Sequence, residues 1–450
     1  MGMDSALRTA PRTPRLAGLH ALAAGVDYAR YFRWRRAREG DPFFVRFPGL
    51  GSALFTGTPE GVAQVFRAPT ELLEPPRPNP IEPMVGTASL ILSSGARHRR
   101  DRALLAPAFH RTRIRGYGRI IRDSAVAELD GREQAWRPGA RVNSRTAARA
   151  ITLRVILGAL FGDDDPVRRD RYATAVAEFL DAFSGPLMLV PALRVGAFGH
   201  APWDRFRIAR ERLDDLIRAD IARHRAGAAG ADGILATLLA TRYEDGGALS
   251  DDEVCEQVRT LVVAGHETTA TSLVWALLHL HREPAVLDRV RAEVRAAGDD
   301  DPATLAALPY LEAVCQETLR LHPPVPIVLR GLTGPLEVRG VELDAGDTVG
   351  IAVPLLHSDP EVWTDPHLFR PERFLERRYG PFEFAPYGGG HRRCVGATLA
   401  DYELRIVLGT ILNRVRLVLT PRYARGPMPL SVPHNIATGP LRAIPFDVVA

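Results

Sequence analysis

Cys394 follows Tyr387-Gly388-Gly389-Gly390-His391-Arg392-Arg393 and precedes Val395-Gly396 and an apolar run. Three successive glycines let the backbone turn with its N–H groups inward. A sulfur at the start of the next helix, beside two arginines, sits in positive potential. Such surroundings favour thiolate and should hold the thiol below its free pKa of about 8.5. Thiolate is the metal-ligating form, yet no second cysteine or nearby His–His pair completes a zinc shell. A single thiolate suits a metal whose other ligands arrive with a cofactor, as the iron of haem does. Cys255 reads as structural. So does Cys315, on the helical stripe Leu311, Val314, Cys315, Thr318, Leu319.

Three further constellations carry chemistry. Ala264-Gly265-His266-Glu267-Thr268-Thr269 lies inside a helix opened by the capping box Ser250-Asp251-Asp252-Glu253. A mid-helix glycine costs about 1 kcal/mol relative to alanine. Thr268 can bond back to the Ala264 carbonyl, displacing a backbone bond and opening a local groove. A carboxylate and a hydroxyl at such a groove, Glu267 and Thr268, form a proton relay. Glu317 and Arg320 are helical neighbours at i,i+3, and Arg373 in Pro371-Glu372-Arg373-Phe374 can share the same carboxylate in a buried network. His98 and Arg102 stand one turn apart in Arg97-His98-Arg99-Arg100-Asp101-Arg102. With Arg330 and Arg392 they could bind a dianion such as a pair of carboxylates.

The elements that must position these groups are mostly helical. Residues 1–40 read as a loosely packed arm, whose run Arg30-Tyr31-Phe32-Arg33-Trp34-Arg35-Arg36 is solvated rather than seated on a membrane. Phe43–Phe47 and Ala53–Thr56 read as a hairpin around Pro48-Gly49-Leu50-Gly51. Thr58 caps a helix with Pro59 at its first position. Glu74–Pro83 holds prolines at 75, 76, 78, 80 and 83 and must be an irregular loop. From Gly95 to Leu321 the pattern is helical. Strands return at Leu336–Val338 and Thr348–Val353, and Gly396–Leu412 is a last apolar helix. The expected fold is mainly α with smaller β-sheets (α+β), and 41–450 form one domain.

Composition removes other classes. The 450 residues are 46% hydrophobic and 25% charged, which excludes disorder. Lysine is absent, so all 58 basic residues are arginine against 53 acids. They spread along the chain and usually alternate with acids, which argues against a nucleic-acid footprint. Three distant cysteines fit a reducing compartment. No signal peptide and no run of 18 apolar residues appear, so a soluble cytoplasmic monomer without a transmembrane anchor is expected.

In their order along the chain these motifs resemble the cytochrome P-450 family of haem-thiolate monooxygenases, of soluble bacterial type, over about residues 41–450. The resemblance implies a helical lobe with a small β-rich lobe, haem b as cofactor and Cys394 as axial iron ligand. It implies that Glu317, Arg320 and Arg373 support the cysteine loop. His98, Arg102, Arg330 and Arg392 would meet the propionates, with Ala264 and Gly396 also against the haem. Glu267 and Thr268 would deliver protons to dioxygen. Leu92, Val262, Val263, Val325, Ile327, Val328 and Ile436 would line an apolar substrate pocket. The implied reaction is hydroxylation or epoxidation of an apolar molecule of lipid, terpenoid or secondary-metabolite type. The alternative is a peroxide-driven or non-turning-over haem-thiolate protein. No flavin or iron–sulfur segment is fused, so an NAD(P)H-driven ferredoxin reductase and an acidic ferredoxin are the expected donors, docking at Arg99, Arg100 and Arg393. Two departures stand out: Tyr387 where phenylalanine is usual, and Arg rather than His at 392.

Overall fold

The computed structural model describes residues 27–47, 51–131, 135–162, 165–183, 186–197, 199–227 and 233–449. The helices that position the site are α1 (Tyr28–Glu39), α2 (Pro59–Arg67), α3 (Gly95–Leu105), α4 (Ser144–Phe161), α5 (Asp251–Arg282), α6 (Pro309–Leu321) and α7 (Ala397–Arg414). The capping box forms as the sequence predicts. Ser250 Oγ accepts from the Glu253 amide at 3.2 Å, and the Glu253 carboxylate accepts from the Ser250 amide at 2.9 Å. From that cap α5 runs unbroken for 32 residues. It is long and apolar enough to cross a bilayer, yet 83% of its most apolar window is buried inside the protein. Helices α4, α6 and α7 pack around it in the main hydrophobic core.

A five-stranded sheet flanks this helical body. Its strands are β1 (Phe43–Phe47), β2 (Gly51–Thr56), β3 (Leu73–Glu74), β4 (Ile327–Leu332) and β5 (Thr348–Ala352), in the order β1-β2-β5-β4-β3. Only the β2–β5 pair is parallel. The predicted hairpin is present with Phe43 opposite Phe55, while its turn at 48–50 lies outside the described residues. Thr58 caps α2 as expected, accepting from the Gly61 amide. Strands β6 (Ser431–His434) and β7 (Ala437–Pro440) form a ribbon against α5. The fold is therefore helical with small sheets, as the residue pattern implies.

The arm is a correction. Residues 1–26 lie outside the described residues, but 28–39 are a packed helix rather than a loose, solvated segment. Phe32 is fully buried between Phe43 and Phe55, its ring 5.0 Å from that of Phe55. Arg35, 1% exposed, donates to Glu39 at 2.7 Å, to the Tyr31 hydroxyl at 2.9 Å and to the Phe44 carbonyl at 2.6 Å. The charge run hid this because only Tyr31, Phe32 and Arg35 of twelve residues turn inward. A fully satisfied guanidinium can be buried where a bare one cannot. Removing the Phe32 ring should leave an unfilled gap, so Phe32→Ala is expected to cost about 3–4 kcal/mol. Chemical unfolding checks this against Arg38→Ala on the solvent side of α1, expected within about 0.5 kcal/mol of the parent.

Candidate active site

Glu317 on α6 is completely buried and accepts four hydrogen bonds. Arg320 grips it with two parallel bonds at 2.7 and 2.8 Å. Arg373 Nε adds one at 3.1 Å, and the Arg370 amide another at 2.9 Å. One carboxylate cannot neutralise two guanidiniums, and main-chain carbonyls take the remaining donors. Arg320 reaches His357, Pro366 and Leu368, and Arg373 reaches Thr364 and Asp365. Both guanidiniums also face the buried Trp363 ring, at 5.1 and 6.0 Å. The three residues read from sequence as a network are thus one cluster.

His357, missed from the sequence, carries this cluster toward the cysteine. Its Nε2 accepts from the Ala385 amide at 3.0 Å, so Nδ1 holds the proton and donates to the Arg320 carbonyl at 3.1 Å. Burial and the Arg320 charge push its pKa down to about 3, which keeps the ring neutral. Two residues after Ala385, the Tyr387 carbonyl accepts from the Cys394 amide at 3.0 Å. Gly388 and Gly390 have φ of +66° and +63°, a region that disfavours side chains. A Cβ at Gly389 would lie 2.3 Å from the Phe66 ring, so the triglycine is seated on α2.

Cys394 keeps accessible surface although protein encloses it on nearly every side, so its sulfur faces an internal space. The expected lowering of its pKa is not found. The Gly396 amide, Arg393 and Arg102 favour thiolate, but enclosure outweighs them and the thiol moves up. Gly396 leaves its Cβ position open, 4.0 Å from Sγ.

The cations above this loop test whether haem fits. His98, Arg102, Arg330 and Arg392 converge, and none has a carboxylate within ion-pair distance among the described residues. Among the described residues the Arg330 guanidinium bonds only the carbonyl of its neighbour Leu329, and that of Arg392 the carbonyls of Ile91 and Ser93. His98 Nδ1, His391 Nε2 and Arg392 Nε are buried without hydrogen-bond partners among the described residues. Enclosure and mutual repulsion push Arg330 to about 9, Arg392 to about 10 and His98 to about 3. A positive cluster with spare donors beside a sulfur is the complement of a flat group bearing two carboxylates. The residues fit the group.

In the middle of α5, from 257 to 280, the accessible positions are Ala264, Gly265 and Thr268, with Leu261 at the margin; 261, 264 and 268 share one helical face at i, i+3, i+7. Thr268 Oγ1 donates to the Ala264 carbonyl at 2.7 Å as predicted, but the helix is not broken there. Gly265 serves packing: a Cβ would lie 2.9 Å from Ile156 of α4. Glu267 diverges from Thr268 toward α4, where Arg149 approaches its two oxygens at 2.8 and 3.0 Å. Three pocket expectations fail. Val262 and Val263 are fully buried, because their side chains point 100–200° around α5 from Leu261. Ile327 packs on the α1 side of β4, and strand alternation puts Val328 and Arg330 on the other face. Leu92 and Ile436 are partly buried against the main core, and Val325 is 41% exposed.

The docking expectation also changes. Arg99 pairs with Glu71 and Arg100 with Asp245, both at the surface. Arg393, Arg111, Arg113 and Arg115 are exposed, with no carboxylate within ion-pair distance among the described residues. The last three lie on the helix Arg111–Gly116, which packs on α7.

Residues 18–441 match the sequence profile of the family described as Cytochrome P450. Cytochrome P450 135B1 of Mycobacterium tuberculosis is 34% identical over 441 residues, covering 96% of this chain and 91% of that protein. Cytochrome P450 135A1 of the same species is 32% identical over 458 residues, covering 98% and 96%. Among solved structures, retinoic acid bound cyanobacterial CYP120A1 has the same fold, with a TM-score of 0.80 at 24% identity over 93% of each chain. A glycine-seated cysteine beneath unpaired cations, with relatives spanning nearly the whole chain, places this chain in the cytochrome P450 family, as a haem b-dependent thiolate monooxygenase that takes dioxygen, a substrate and electrons from redox partners.

Proposed function

We propose that Cys394 is the axial ligand of the haem and that the enzyme hydroxylates or epoxidises an apolar organic molecule, of lipid, terpenoid or secondary-metabolite type. The observation that carries this reading is the enclosed yet accessible Cys394 sulfur beside four groups lacking carboxylate partners. Haem supplies the activation of dioxygen and the oxidising step when bound. The chain supplies the rest. Arg102, Arg330, Arg392 and His98 hold the propionates. Leu261, Ala264, Leu92, Val328 and Ile436 present apolar walls, which suit an apolar substrate.

Thr268 is the residue on the open face of α5 able to hold a proton donor toward that space. Glu267 lies behind it, and its partner Arg149 keeps a third of its side chain in solvent. The pair therefore connects the interior to bulk water, and Glu267 acts as the inner proton reservoir rather than as a group facing the substrate. Residues 41–450 work with helix α1 as one unit, in the cytoplasm and as a monomer. The electron donor is an acidic ferredoxin served by an NAD(P)H-driven reductase. It meets the chain at Arg393, Arg111, Arg113 and Arg115, on the cysteine side of the molecule.

Three outcomes follow. The reduced carbon-monoxide complex should show the red-shifted Soret band of thiolate ligation, and Cys394→Ser should lose it; an unshifted parent band would refute the ligand assignment. Thr268→Ala should still consume NAD(P)H but release peroxide, with product falling on the order of tenfold or more. Unchanged coupling would remove Thr268 from the relay. Reduction by an acidic ferredoxin should slow as ionic strength rises. The charge reversal Arg113→Glu with Arg115→Glu should slow it about tenfold or more at low salt. A salt-independent rate would exclude this face.

A further inference from the structure

Asp401 lies on α7, seven residues beyond Cys394, and its carboxylate is held by a phenol. The Tyr387 hydroxyl donates to Asp401 Oδ1 at 2.6 Å. The same tyrosine accepts from the Cys394 amide through its carbonyl, and Arg393 lies 6.0 Å from its ring centre. Tyr387 therefore joins the carboxylate to the loop at one end and the sulfur's own amide at the other.

No guanidinium lies within ion-pair distance of Asp401 among the described residues. The nearest basic group on its own helix, Arg405, is engaged elsewhere. Its Nη1 donates to the Ala306 carbonyl at 2.7 Å and lies 3.4 Å from Glu312, and its Nε donates to the Asp401 main-chain oxygen at 3.1 Å. The other charged groups acting on Asp401 are Arg393 from the loop and Glu312 from α6. Burial draws its pKa up, while the Tyr387 hydroxyl and the two arginines favour the carboxylate. Its charge in turn acts on Cys394 against the thiolate-favouring cations. A half-buried carboxylate without an ion pair is an expensive group to place behind a sulfur. With phenylalanine at 387 it would have no donor from the loop.

We propose that Asp401 is a positioning residue for the haem ligand: through the Tyr387 hydroxyl it anchors the Cys394 loop to α7, and its negative charge on the protein side of the sulfur lowers the reduction potential of the haem. This rests on Cys394 being the ligand. Negative charge near the metal favours the ferric over the ferrous form, and net charge and hydrogen bonding near the ligand sulfur are recognised levers on potential.

The experiment measures the midpoint potential of the substrate-free, haem-loaded protein for the parent, Asp401→Asn, Tyr387→Phe and the double variant, with the carbon-monoxide spectrum of each. Asp401→Asn keeps an acceptor for the tyrosine and removes only the charge, so its potential should move upward with the shifted Soret band retained. Tyr387→Phe should also shift the potential, and should shift it less in the Asp401→Asn background, because the hydroxyl acts in part through the carboxylate charge. An unmoved potential in Asp401→Asn, or strictly additive shifts, overturns the proposal. Should Asp401→Asn not load haem, the parent and Tyr387→Phe decide: a potential equal to the parent's overturns it, and a shifted one supports it. An unshifted Soret band in the parent would instead refute the ligand assignment, so the two failures are distinguishable.

Discussion

Two guanidiniums buried against one carboxylate fix where the cysteine loop can lie. Glu317 accounts for one positive charge of two, and the surplus is met by five carbonyl oxygens between His357 and Leu368. That segment has almost no regular structure of its own, so its path is set by where those donors point. Removing the carboxylate would leave two uncompensated buried cations, a loss of about 3–5 kcal/mol. The network is thus costly as a source of stability and effective as a template. Its geometry passes through the neutral His357 ring to Ala385, and from there to the main chain that hydrogen-bonds Cys394.

The cation cluster on the other side of the loop is built on the opposite principle. Around Glu317 every charge is answered within the chain, whereas Arg102, Arg330 and Arg392 repel one another and the neutral ring of His98 stands among them, with polar nitrogens to spare among the described residues. Three elements, α3, β4 and the cysteine loop, supply them. An anionic cofactor that relieves this repulsion stabilises the folded chain by mass action. On the proposed assignment, haem binding removes an electrostatic cost that the three arginines otherwise impose on the fold.

The parts of this arrangement legible from sequence were those where residue type alone restricts the chemistry. A triglycine before Cys394, a Glu-x-x-Arg pair with a distant arginine, and a capped helix with Thr268 inside it each narrow the choices. Direction around an element was less legible. Val262 and Val263 sit beside Ala264 in sequence but a third of a turn or more away in space, and Ile327 differs from Val328 by one step of strand alternation. Pairing was legible least of all. Arg99 and Arg100 look free until Glu71 and Asp245 arrive from 28 and 145 residues away. Arg35 reads as solvent-facing until Tyr31, Glu39 and the Phe44 carbonyl surround it. Arginine is the only long basic residue in this chain, so its identity carries no signal and only its partners distinguish structural from functional copies.

Helix α5 ties residues 84–90 to the hydroxyl proposed for the relay. Near its start, Glu256, Gln257, Arg259 and Thr260 bind the backbone or hydroxyls of residues 84–90. Arg259 Nε donates to Met84 O at 2.7 Å, Gln257 Nε2 to Ala88 O at 2.6 Å, and Thr260 Oγ1 to Ser89 Oγ at 2.9 Å, while Glu256 accepts from the Ala88 amide at 2.7 Å. Gly86 has φ of +86°, and a Cβ there would lie 2.1 Å from the Glu256 carboxyl carbon, so that contact also demands glycine. Eight residues further on, about 12 Å along the same rigid rod, stand Ala264 and Thr268. Residues 84–90 and the hydroxyl at 268 are therefore held at a fixed separation by one helix.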